Sequence, residues 1–341
     1  MKIFKILVWV IMVLIVLIGS IWWNQERIDP FNASDREEVQ QTANYPVTVS
    51  NYDTAGNVRE VVFCQKPQRV VANEVNNVEA LLALGEGDKL VLTSIHRDSR
   101  HYEYLKERYP EEFSKIHSIF EYELNKETVI SMNPDLILGW KSTFTPQFLG
   151  TTEWWGEKGV NTYMVPTSNH LLKKSTLDDE YRFIMDIGRI FDKVDRAKEF
   201  VDRAKEKINL IQNQVKAFKK QKVAVIEIGG KGIYNYDSGW VIGDMVEKMG
   251  GYMPITGKNL SIEELLKEDP DVIFCVYYKE DMKRDIEAFI NDSKVSSLQA
   301  VKKHRIYPIL LEYMYSPGIR VVDGIELVKN ALYPELGEEI N

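Results

Sequence analysis

One uninterrupted apolar stripe divides this chain: Val194, Ala197, Val201, Ala204, Ile208, Ile211, Val215 and Phe218, spaced 3-4-3-4-3-4-3. That spacing places all eight side chains on one face of a single helix. Drawn from Lys193 to Phe218, such a helix would run about 39 Å at ~1.5 Å per residue, long enough to cross from one folded lobe to another. The same heptad pattern also suits a homodimeric coiled coil. Two alanines among the eight positions make a thin seam for a dimer, so the stripe is read as an intrachain spine.

The flanks of the spine resemble each other. Before it, strand-like runs at Arg69–Ala72, Lys89–Thr93, Asp135–Gly139 and Val160–Val165 alternate with helical spacing, as in "NNVEALLALGEGDK", where Gly85 and Gly87 stop the helix. After it come runs at Lys222–Ile228, Asp271–Val276 and Arg305–Ile309, with "GWVIGDMVEKMGG" reading as a helix ended by Gly250 and Gly251. Alternation of this kind builds parallel sheets. The expected fold is therefore α/β: two Rossmann-like lobes with central, mostly parallel sheets, residues 45–192 and 220–341, joined by a single long α-helix at 193–219.

Within the lobes one phrase occurs twice. "LNKETVISMNPDLIL" (124–138) and "LSIEELLKEDPDVIF" (260–274) align without gaps, sharing Leu124/Leu260, Glu127/Glu263, Pro134/Pro270, Asp135/Asp271 and Ile137/Ile273. Asn125 and Ser261 are good N-caps, Ser261 with Glu264 forms a capping box, and Leu124 and Leu260 can staple onto Val129 and Leu265. The residue before each proline is pushed out of α geometry, so each helix stops there and an apolar strand follows. Glu127 and Glu263 each fall in a first helical turn, where the helix dipole alone favours an acid by roughly 0.3–1 kcal/mol. Their recurrence on two equivalent lobes points further, to a pseudo-symmetric basic partner.

Residues Ile6 to Trp23 carry no charge over 18 residues, close to what a bilayer core requires. Lys2 and Lys5 precede this run and Glu26, Arg27 and Asp29 follow it, which orients the N-terminus to the cytoplasm and the remainder outside. No small-x-small cleavage site closes the run and no cysteine follows for lipid attachment, so residues 1–23 are read as a membrane anchor in preference to a cleaved signal. Residues 24–44, polar and unpatterned, read as a tether. Cys64 and Cys275, both in strand-like runs, are expected to be small buried thiols and not a disulfide.

The net charge of −8 is spread along the 341 residues with no basic stripe, which excludes a nucleic-acid partner. An enzyme is not expected either: G-x-S-x-G, G-x-x-x-x-G-K-[ST] and H-E-x-x-H are all missing, and "GGKG" at 229–232 reads as a tight turn. His96 and His101 lie five apart, off helical register, while His117, His170 and His304 are isolated, so no bare-metal site is expected. A haem- or iron-completing role for His96 stays open.

In their order and spacing over about residues 45–335, "KPQRVVANEVNNVEALLALGEGDKLV", "NKETVISMNPDLILGW", "STLDDEYRFIMDIGRIFDKVDRAKEFV", "GWVIGDMVEKMGG" and "NLSIEELLKEDPDVIF" resemble the substrate-binding proteins of ABC importers for ferric siderophores, cobalamin and haem. The resemblance implies an extracytoplasmic protein with no resident cofactor. It would capture a small-molecule metal chelate between its lobes and pass it to an ABC permease dimer with ATPase subunits. It also implies that one acid per lobe docks on the permease, and by motif position these are Glu127 and Glu263.

Ligands of α/β lobes sit outside the carboxyl ends of the strands, which selects the loops to inspect. These contain Asn73 and Asn76 in "NEVNN", His96 and Arg97 in "SIHRDSRH", and Trp140 and Lys141 in "WKSTF". In the second lobe they contain Tyr234 and Trp240 in "GGKGIYNYDSGW", Tyr277 and Tyr278 in "YYKED", and Tyr313 with Tyr315 in "LLEYMYSPG". Aromatics suit a bulky chelate, and the basic groups would answer an anionic one. An iron-siderophore-type chelate is the expected ligand. Cobalamin, haem or a metal or oxyanion are alternatives within the same transport class, and a membrane-anchored scaffold or sensor that kept the fold is an alternative outside it. A long rigid helix leaves few hinge residues, so small lobe closure is expected.

Overall fold

A computed structural model describes residues 44–97, 99–229 and 232–336. The expected anchor, and the tether as far as Ala43, lie outside these residues, and no helix among the described ones is long and apolar enough to cross a membrane.

The first lobe is built on a five-stranded parallel sheet in the spatial order Ile119–Phe120, Leu90–Ser94, Val70–Ala72, Leu136–Gly139, Asn161–Met164. Val70–Ala72 and Leu136–Gly139 are buried along their whole length, as a sheet covered on both faces requires. The chain leaves Val70–Ala72 first to one side and then to the other, so the strand order reverses there. Loops that diverge at such a point leave a crevice at the strands' carboxyl ends.

In the second lobe, Gln221–Gly229, Val272–Tyr277 and Ile306–Leu310 run parallel, and Gly232–Asn235 and Asn259–Leu260 extend the sheet antiparallel. The stretch after Ile228, read above as loop, is therefore in part a strand held between Gln221–Gly229 and Asn259–Leu260: Gly229 pairs with Gly232, and Tyr234 sits on that strand. A second unforeseen element is the antiparallel hairpin Val47–Tyr52/Val58–Phe63. Asn51 fastens it to the first sheet by accepting from Met164 N–H at 2.8 Å and donating to Met164 C=O at 3.0 Å, as a neighbouring strand would. "DTAGN", with Gly56 at φ 92°, carries its turn signal. Cys64 falls just past this hairpin and is exposed, contrary to the expectation of a buried thiol, because the strand ends at Phe63; Cys275 is buried and also free.

The spine is an α-helix over Val194–Gln214 followed by a single 3-10 turn, Val215–Ala217. It is shorter than the apolar stripe, whose first residue, Val194, is 40% exposed. Ala197, Val201, Ala204, Ile208 and Ile211 are buried against the helices Leu177–Ile190 and Val321–Leu332. The small seam residues have a use there: a Cβ on Gly188 would lie 2.4 Å from that of Ala197, so this crossing admits nothing larger on either side. The stripe is thus covered within the chain.

Both copies of the repeated phrase fold alike. Asn125 accepts from Thr128 N–H at 2.8 Å, while Ser261 accepts from Glu264 N–H at 3.2 Å and Glu264 accepts in return from Ser261 N–H at 2.9 Å. The staple pairs Leu124/Val129 and Leu260/Leu265 are buried. The helices Lys126–Ser131 and Ile262–Glu268 both end in a left-handed residue before proline, Asn133 at φ 45° and Asp269 at φ 43°. Asn and Asp tolerate that conformation better than other side chains with a Cβ.

Candidate functional site: the cleft between the lobes

A cleft of about 780 Å³ opens where the two sheets present their carboxyl edges. Its first-lobe wall comes from the loops after Ala72 (Asn73 to Asn76), Ser94 (Ile95, His96, Ser99 and His101), Phe120 (Glu123) and Gly139 (Trp140, Ser142, Gln147 and Phe148). The second-lobe wall comes from Tyr278 and from Leu311, Glu312, Tyr315 and Ser316.

Aromatic packing shapes the floor. Trp140 of the first lobe lies 5.0 Å from Tyr315 of the second, ring to ring, and Tyr315 lies 4.8 Å from Trp240. Trp240 packs in turn at a tilt against His170 at 3.9 Å and edge-on against Tyr236 at 5.5 Å, and Tyr236 meets Tyr234 at 5.0 Å. Polar bonds fix the two rings that face the cleft: the Trp140 indole N–H donates to Asn76 Oδ1 at 3.2 Å, and the Tyr315 hydroxyl accepts from Asn169 N–H at 2.5 Å.

The acids of the cleft differ in state. Glu74, at φ 75° just ahead of the Val75–Leu84 helix, has its carboxyl pushed up to about 7 by burial and by the neighbouring Glu123. A non-glycine residue held in that backbone region is strained, and such strain concentrates at functional sites. Burial also acts to raise Glu312, but the His101 imidazole, 2.6 Å away across the lobes, outweighs it and holds the carboxyl below its ordinary range.

Behind the cleft the lobes are tied by buried groups. Glu79 of the first lobe pairs with Arg320 of the second and also accepts from Tyr104 and Tyr109, each at 3.2 Å. Glu180 accepts from Thr167 Oγ1 at 2.5 Å and from Gly318 N–H at 2.7 Å, and Thr167 shares a 2.9 Å bond with Ser316.

Of the residues singled out in the sequence, Asn73, Asn76, His96, Trp140, Tyr278 and Tyr315 line the cleft. Arg97 is exposed and paired with Glu121 at 2.7 Å, and Lys141 opens a 3-10 turn with its N–H donated to Ser168. Trp240 is buried behind Tyr315, with Tyr234 one ring further along the same aromatic row. Tyr277 is buried with its hydroxyl accepting from Arg100 at 3.2 Å, and Tyr313 is half-buried beside Arg320. Glu74, Glu123, Gln147, Phe148, Glu312 and Ser316 were not singled out. Glu74 lies within the loop "NEVNN", but no local pattern marks a glutamate that takes a left-handed backbone.

Glu127 and Glu263 occupy the same position, second in the first turn of their helices, and both are exposed. In each lobe that turn lies on the edge of the sheet where the cleft opens, since a helix that returns to a parallel strand starts at the carboxyl side. Glu123 of the cleft wall precedes Glu127 by one short turn of chain.

Comparison with known proteins agrees with this architecture. The family described as Periplasmic binding protein matches residues 70–309. A periplasmic binding protein from Veillonella parvula DSM 2008 is 31% identical, with a TM-score of 0.78 over 86% of this chain and 93% of that one. YvrC of Bacillus subtilis (strain 168), described as an uncharacterized ABC transporter substrate-binding lipoprotein, is 25% identical over 91% of this chain and 93% of its own length. The structure of an ABC-type Fe3+-hydroxamate transport system from Saccharomonospora viridis DSM 43017 is 24% identical, with a TM-score of 0.68 over 84% of this chain and 99% of that one. Two switch-point sheets facing one cleft across a helical spine, matched over most of the chain, place this protein in the periplasmic binding protein family, as a substrate-binding protein of the ABC-transporter class and not an enzyme.

Proposed function

We propose that the cleft captures an iron-siderophore-type chelate and delivers it, chemically unchanged, to a permease dimer energised by ATPase subunits, at the outer face of a membrane to which residues 1–23 anchor the protein. The cleft itself carries this reading. At about 780 Å³ it falls within the roughly 300–1,000 Å³ that enclose a bulky small molecule. Trp140, Phe148, Tyr278 and Tyr315 offer it broad, stiff contact surfaces. The Saccharomonospora protein, described as an ABC-type Fe3+-hydroxamate transport system, supports a ferric chelate as cargo.

Glu127 and Glu263 are the docking residues in this reading. Both are exposed and neither lines the cleft, so a ligand held there would leave them accessible, and a matched pair of acids suits the matched basic surfaces of a two-fold permease. Native mass spectrometry of the purified protein, followed by titration with ferric chelates, tests the capture. A retained chelate mass, or saturable binding to the emptied protein, is the expected result. Protein that carries nothing and binds no chelate, corrinoid or haem would instead fit a membrane-anchored scaffold.

A further inference from the structure

The charge of the cleft is one-sided. Among the described residues, Glu74, Glu123 and Glu312 line it, and no lysine or arginine does. The arginines nearest in sequence are engaged outside it, Arg97 with Glu121 at 2.7 Å and Arg100 with Tyr277 and Glu280 at 3.2 and 3.4 Å. His101 answers Glu312, but the charged neighbour of Glu74 is Glu123, another acid.

A second feature points to what the ligand must offer. Asn76, only 4% exposed and part of the cleft wall, spends its Oδ1 on the Trp140 indole and leaves Nδ2 buried with no partner among the described residues. This donor is closed to the cleft as Asn76 stands, and a turn of the side chain would offer it to an uncharged oxygen acceptor on a ligand, such as an amide or hydroxamate oxygen.

We propose that this cleft selects metal chelates of neutral or positive net charge with uncharged oxygen-rich peripheries, of which a ferric trishydroxamate is the model, and disfavours polyanionic chelates built from catecholates or carboxylates. Where Glu74 and Glu123 are both ionised, two carboxylates with no lysine or arginine beside them among the described cleft residues repel a polyanion, while a pendant ammonium gains from both the acids and the rings. The inference rests on the chelate-capture reading and sharpens its substrate class.

Tryptophan-fluorescence titration of the protein at fixed ionic strength tests it, with ferrioxamine B (pendant ammonium), ferrichrome (uncharged), a ferric tricatecholate (polyanion), cyanocobalamin (amide periphery) and haem (two propionates). The trishydroxamates are expected to bind at least about tenfold tighter than the tricatecholate or haem. Glu74→Gln combined with Glu123→Gln is expected to weaken ferrioxamine B by about fivefold and ferrichrome by less than about twofold. Circular dichroism of the variant shows whether it is folded.

Tricatecholate or haem binding as tight as the hydroxamates, or a double variant with an unchanged ferrioxamine-to-ferrichrome ratio, overturns the charge rule and leaves capture standing. Cobalamin binding in place of every ferric chelate upholds the charge rule and overturns iron as the cargo. Binding of none of the five overturns both.

Discussion

Asp135 and Asp271 make the same clasp in the two lobes. Asp135 accepts from the N–H groups of Gln68 and Arg69 at 2.7 and 3.0 Å, and Asp271 accepts from Lys222 N–H at 2.9 Å, in each case at the start of the lobe's first sheet strand. The cation beside each clasp then caps the preceding short helix: Arg69 donates to the carbonyls of Met132 and Asn133, and Lys222 Nζ to that of Glu268 at 2.6 Å. The Pro-Asp half of the repeated phrase is therefore architectural.

Asp135→Ala or Asp271→Ala, which leaves strand N–H groups unpaired, is expected to cost about 1–3 kcal/mol of stability. Glu127→Ala or Glu263→Ala is expected to cost less than about 1 kcal/mol, the helix-dipole share alone. Chemical denaturation of the four variants checks this, and equal losses across them would contradict the division of labour.

Glu79 and Arg320 form the buried tie between the lobes, with Arg320 stacked 4.1 Å from the Tyr104 ring centroid. Removing one partner strands a buried charge. Glu79→Ala is expected to lower the unfolding free energy by about 3–5 kcal/mol. A urea midpoint within error of the unaltered protein would show that the tie is dispensable.

Glu180 is fully buried, and burial is the main cause that pushes its carboxyl up to about 7. Between its ordinary value near 4.5 and about 7 the folded state holds a proton that the unfolded chain has released, so this group stabilises the fold below that window and loses its contribution as pH rises through it. Its share of the loss is on the order of 3 kcal/mol. Glu180→Gln, which keeps the shape and cannot ionise, is expected to flatten the fall in stability between about pH 4.5 and 7. A melting-temperature profile with the same slope in both proteins would contradict this.

Trp140 lines the cleft and Trp240 lies buried behind Tyr315. Trp140→Phe is expected to remove most of the fluorescence change on ligand addition, and Trp240→Phe a smaller part. The reverse order would place the ligand elsewhere.

The periodic parts of this fold were legible in the sequence for a physical reason. Strands such as Val272–Tyr277, buried throughout, need unbroken apolar runs, and the Val194–Gln214 spine needs its stripe, so both are visible without tertiary information. The hairpin Val47–Tyr52/Val58–Phe63 was missed because its stability depends on Asn51 bonding Met164 more than a hundred residues away. The site was legible at the level of loops. Whether Trp240 faces the cleft or backs Tyr315, or whether Glu74 turns into the cleft, is decided by contacts between lobes that no local spacing encodes.

Glu127 and Glu263, exposed at equivalent turns, carry the transport claim. The most direct measurement is uptake of labelled ligand by cells whose only copy carries Glu127→Arg and Glu263→Arg, alongside ligand affinity of the same purified variant. Delivery by docking predicts uptake reduced to background with affinity within about twofold of the unaltered protein. Undiminished uptake, or loss of ligand binding in the folded variant, would contradict it.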